Sequence, residues 1–72
     1  MSRLLKAGTY EFHVVVQPLT EGGFTHACVE VDLSRTKVSE IRYNSQLRFE
    51  TAEEAYEGGT AHARWRAKRI EQ

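Results

Sequence analysis

The feature that most restricts this chain is an alternation. From Thr9 to Gln17, Tyr10, Phe12, Val14 and Val16 alternate with Glu11, His13, Val15 and Gln17. This is the period of two of a half-buried strand, whose successive side chains leave opposite faces. Pro18 ends the run by removing a ladder donor, and Glu21-Gly22-Gly23 supplies residues that accept positive φ. A second alternation covers Phe24 to Leu33. Thr25, Ala27, Val29, Val31 and Leu33 share one parity; Phe24, His26, Cys28, Glu30 and Asp32 share the other. Two such runs across a short glycine-containing loop predict an antiparallel hairpin.

Ser34-Arg35-Thr36 reads as a loop. Beyond it, Val38 to Phe49 places Ile41, Tyr43, Leu47 and Phe49 on one parity, interrupted by Asn44-Ser45. That dipeptide reads either as a turn between two short strands or as a bulge in one long strand. The favoured expectation is a third strand ending near Phe49, with an irregular stretch before it.

Thr51-Ala52-Glu53-Glu54 fits a capping box, in which the Thr51 hydroxyl accepts from the Glu54 N–H and the Glu54 carboxylate reaches back. A helix is predicted over about residues 52–70, with Ala52, Ala55, Tyr56, Gly59, Ala63, Ala67 and Ile70 on one stripe. Those side chains are small, so the helix should lie close to the sheet. Gly58-Gly59 costs about 2 kcal/mol against two alanines. Either close backbone packing offsets that cost, or the pair breaks the helix and Thr60 caps a second one.

The expected fold is α+β, one domain over residues 1–72, with an antiparallel sheet of three or four strands and one long C-terminal helix on one face. The expected core is Tyr10, Phe12, Val14, Val16, Val29, Val31, Leu47, Phe49, Ala55, Ala63 and Ile70. It is a thin core. Leu, Ile, Val and Phe supply 16 of the 72 residues, and a chain of this size buries only about 60% of its unfolded surface. The opposite sheet face is expected to carry Val15, Phe24 and Cys28 among His13, His26 and Glu30.

Function is constrained mainly by exclusion. Gly22-Gly23 and Gly58-Gly59 match neither a P-loop nor a GxGxxG, and there is no CxxC or HExxH. No catalytic residues, cofactor or metal are therefore expected. The nearest approach to a metal site is His26 and Cys28, two apart on one strand face, with His13 opposite. Zinc needs three or four converging ligands, so a mixed polar sheet face is the simpler reading. A nucleophilic Cys28 would need a lowered pKa and an orienting base, and neither has a sequence signature here. One cysteine excludes an intramolecular disulfide framework and suits a reducing cytoplasm. No apolar run approaches the roughly 18 residues of a membrane span, and the first eight residues lack the apolar region of a secretory signal.

Ten Lys and Arg balance ten Asp and Glu, but unevenly: residues 1–57 carry a balance of −3 and residues 58–72 one of +3. Complementing the helix dipole accounts for much of this. The functional alternative is a basic helix end, Arg64, Arg66, Lys68 and Arg69, contacting nucleic-acid phosphate while Trp65 stacks on a base. Trp65 also lies off the core stripe and in line with Gly58 and Ala61. A large aromatic beside two small residues leaves a groove into which another helix can pack. Gly58, Ala61, Trp65 and Arg69 thus form the candidate interface of a non-enzymatic interaction module, either a homodimer or one docking on another protein.

The order hairpin, third strand, then Phe49-Glu50-Thr51-Ala52-Glu53-Glu54-Ala55 leading into a C-terminal helix resembles small bacterial β-β-β-α proteins. In outline it is similar to the N-terminal module of HicB-like antitoxins, from about Tyr10 to Ile70. Where such modules carry a Pro-Gly loop after the second strand, this chain has Leu33-Ser34-Arg35-Thr36. They also precede a DNA-binding segment, and this sequence ends at Gln72. The resemblance implies the fold and association between protomers, and antitoxin function is not carried over.

Overall fold

The structure, a computed structural model, describes residues 2–34 and 36–71. Arg35, within the expected loop, lies outside them. Four strands, β1 (Ser2–Ala7), β2 (Tyr10–Pro18), β3 (Phe24–Asp32) and β4 (Ser39–Asn44), precede one helix, α1 (Ala52–Glu71). The sheet is antiparallel and open, in the order β1-β2-β3-β4. The fold is α+β, as expected, with four strands. The added strand, β1, is short, and Leu4-Leu5 breaks its alternation. It pairs Leu5 with Phe12 and Ala7 with Tyr10 across a two-residue loop.

Between β2 and β3 the chain turns through Gly22 and Gly23, at φ +100° and +83°. The Arg48 guanidinium fills the space a Cβ at Gly23 would occupy and donates from Nε to the Gly22 carbonyl at 3.0 Å. The resulting register pairs Phe12 with Glu30, Val14 with Cys28 and Val16 with His26.

This register corrects the parity expected for β3. Opposed residues share a face, so His26, Cys28 and Glu30 lie beside the core residues Phe12 and Val14, under the helix, rather than on the open face. Val29 and Val31 lie on the open face with Val15, where Val31 is buried as expected and Val29 half-buried, and the expected helix-side positions belong to their neighbours. Sequence polarity misleads here because α1 brings its own partner for the carboxylate. Arg66 Nε donates to Glu30 Oε1 at 2.9 Å and Nη2 to Oε2 at 3.2 Å, and Glu30 is buried.

The region after β3 corrects a second expectation. Regular pairing comes first, over Ser39–Asn44, and the irregular stretch follows it. Ser45 N continues the ladder to His26 O at 3.0 Å. Phe49 then bridges Phe24, each N–H donating to the other's carbonyl at 2.8 Å. The β4 register would put Leu47 opposite Phe24, so two extra residues are inserted, and the bulge reading of Asn44-Ser45 is the better description. The bulge turns Leu47 outward. It is 64% exposed, not part of the core, and its carbonyl accepts from Thr25 Oγ1 at 2.8 Å.

Thr51 caps α1. Its hydroxyl accepts from Glu54 N–H at 3.1 Å, while the Glu54 carboxylate returns to the Thr51 hydroxyl rather than to the backbone. The helix runs unbroken through Gly58-Gly59. A Cβ at Gly59 would fall inside the contact radius of Val14 Cγ1, and one at Gly58 would meet Phe49 Cζ at 2.8 Å. Close backbone approach is thus what these glycines permit. Phe12, Val14, Ala55 and Ala63 are buried as expected, with Tyr10, Val16 and Ile70 packed at their margin. Among the described residues no helix is long and apolar enough to cross a membrane.

Candidate functional site

The backbone of α1 lies over β1, β2 and β3 and does not reach β4. One side of β4 therefore forms a shelf beside the helix rather than a surface beneath it. Ile41 and Tyr43 point up from this shelf by strand alternation. Tyr43 meets His62 of the helix at 5.4 Å between ring centroids, and His62 meets Trp65 at 6.2 Å. The Arg69 guanidinium sits 4.9 Å from the centre of the Trp65 ring. Ile41 and Trp65 remain 48% and 54% exposed. Together they make a continuous aliphatic and aromatic strip along a sheet edge.

Behind the strip is a cleft of about 370 Å³, lined among others by His26, Cys28, Tyr43, Leu47, Phe49 and His62. Its chemistry is muted. Burial is the main cause pushing the Cys28 thiol up to about 11, with the Glu30 carboxylate adding to it. A thiol held neutral in this way is a poor nucleophile at physiological pH. Burial, reinforced by neighbouring His62, pushes the His26 pKa below its ordinary 6.5, against the opposing effect of a hydrogen bond to the Ala55 backbone. His26 packs on Phe49 at 5.5 Å between centroids. His13 lies on the other sheet face, with Nε2 3.2 Å from Glu11. His13 is thus separated from His26 and Cys28, which share the helix side of the sheet. Among the described residues no group of three His, Cys, Asp or Glu is placed to hold a metal ion.

The four residues of the expected interface divide. Gly58 faces Phe49 and His26 and lines the cleft. Ala61, Trp65 and Arg69 are exposed. The basic quartet also divides. Arg66 is committed to buried Glu30, and its guanidinium lies 5.6 Å from the centre of the Tyr43 ring. The Arg69 guanidinium lies over one face of the Trp65 ring, and both side chains are exposed. Arg64 and Lys68 remain exposed. Sequence reasoning missed exposed Ile41 and half-buried Tyr43 and His62 as neighbours of Trp65. The available signal was the odd parity of Ile41 and Tyr43 in a strand with no helix stripe left to cover it.

No family model, curated protein or solved structure matches this chain.

Proposed function

We propose that this chain is a non-enzymatic protein-interaction module that associates with itself through the β4 edge and its shelf. The observation that carries this reading is the exposure of Ile41 and Trp65, with half-buried Tyr43 and His62 between them, beside a strand with one edge unpaired among the described residues. Such an edge presents free N–H and C=O groups that template a further strand. An apolar flank then adds burial at about 25 cal/mol per Å². The cleft supports binding over thiol chemistry, because burial holds its thiol neutral.

Sedimentation of the wild-type chain over a concentration series tests the proposal. A dimer is expected at micromolar concentration, and Trp65→Ala should shift the dissociation constant about tenfold upward, as truncating an exposed aromatic anchor does. Circular dichroism should show the variant still folded. A chain that stays monomeric at high micromolar concentration overturns the reading.

A further inference from the structure

Building on that self-association, we infer that the partner is a second copy of this chain, joined β4 to β4 antiparallel with Ile41 on the two-fold axis. The result is one continuous eight-stranded sheet. The direction of the edge groups comes first. Ser45 N–H bonds His26, and antiparallel ladders alternate residue by residue. Tyr43, Ile41 and Ser39 thus direct their backbone groups at β3, while Asn44, Arg42 and Glu40 direct theirs outward.

The register follows from charge. Two identical antiparallel strands related by a two-fold axis must place some residue opposite its own copy. An axis at Glu40 or at Arg42 sets like charges against each other, which destabilises a sheet. An axis at Ile41 sets Glu40 opposite Arg42 of the second copy, twice by symmetry, on the open face. The same axis makes Glu40 and Arg42 the hydrogen-bonded pair and Ile41 the non-hydrogen-bonded pair, as their outward and inward backbone groups require. On the other face Ile41 meets its copy, and Ser39 opposes Tyr43. The bulge that starts after Asn44 limits the pairing to this stretch.

The other edge argues for the same choice. β1 carries Arg3 and Lys6 but no carboxylate, so a second β1 would offer these cations no partner. Arg3 is also engaged within its own chain, bonded to Glu53 at 2.9 Å and lying 4.4 Å from the centre of the Tyr56 ring. β4 alternates in sign and attracts its own copy; β1 does not.

Cysteine scanning under mild oxidation reads the register directly. In the inferred dimer the Cα atoms of residue 41 lie about 4.5 Å apart, within disulfide reach. Those of residue 40 lie beyond the roughly 7 Å limit. Ile41→Cys should cross-link at least about tenfold faster than Glu40→Cys, and buried Cys28 should stay out of the reaction. Glu40→Arg and Arg42→Glu should each weaken dimerisation about tenfold, and the two changes together should restore it. Equal cross-linking rates in a chain that sediments as a dimer overturn this register and leave self-association standing. A failure of the double charge exchange to restore the dimer overturns the Glu40–Arg42 pairing. A wild-type chain that never dimerises removes the reading on which the inference rests.

Discussion

The two sides of α1 make different use of similar residues. On the side facing β2, small residues bring backbone against side chain: Ala55 is fully buried, Ala63 joins the cluster of Phe12 and Val14, and Gly59 meets Val14 with no space left for a methyl group. On the side facing β4, larger residues meet ring to ring, Tyr43 with His62 at 5.4 Å between centroids, and Ile41, Leu47 and Trp65 stay open to solvent. The first arrangement is specific to one backbone geometry. The second is adaptable, and it leaves apolar surface available to another chain. A thin core is thus compatible with a generous surface strip, because stability comes from closeness of packing on one side of the helix only.

Substitutions can break or sharpen this contrast. The largest effect is expected from Arg66→Ala, which strands the buried Glu30 carboxylate. Loss of one partner from a buried pair costs roughly 3–5 kcal/mol, and partial exposure of Arg66 places this case near the lower end. Urea denaturation should show it. The double change Glu30→Leu with Arg66→Met should recover most of the loss, because apolar packing replaces a buried pair at little cost. A fall below about 1 kcal/mol for Arg66→Ala would mean that the pair contributes as a surface bridge does.

Gly59→Ala comes next. Helix propensity favours it by about 1 kcal/mol, but the clash with Val14 carries the usual cost of overpacking, about 1–3 kcal/mol. The net expectation is destabilisation of about 1 kcal/mol, visible as a lower thermal midpoint. Stabilisation would show that the seam has slack. On the other side of the helix, Leu47→Ser should change protomer stability by no more than about 0.5 kcal/mol in the same assay, since the leucine is mostly exposed. A larger loss would make the shelf part of the core.

Most of the architecture was legible in the sequence. The β2 alternation, the Thr51 cap and the small-residue stripe of α1 each rest on local rules, and each lies where those rules place it. The parity of β3 was not legible. It depends on the hairpin register and on Arg66, thirty-six residues away from Glu30, converting a polar face into a buried one. The position of Leu47 was hidden for a different reason: the two inserted residues leave Phe49 on its expected parity but give Leu47's place opposite Phe24 to Phe49, and composition does not show it. For the candidate site, Trp65 was identifiable as an off-stripe aromatic. The shelf beside it could not be read, because it exists only where the helix stops short of the fourth strand.

The order of the sheet has a kinetic consequence. Strand order follows chain order, so each strand reaches its partner across a short connection, the shortest being Gly8-Thr9 between β1 and β2. Loop-closure entropy then opposes each pairing only weakly, and the hairpins can form early and independently of one another. The long-range step is the return of α1 across the sheet to β1, where Arg3 meets Glu53. Docking of the helix is therefore the event that joins the two ends of the chain, and the one on which cooperative folding depends.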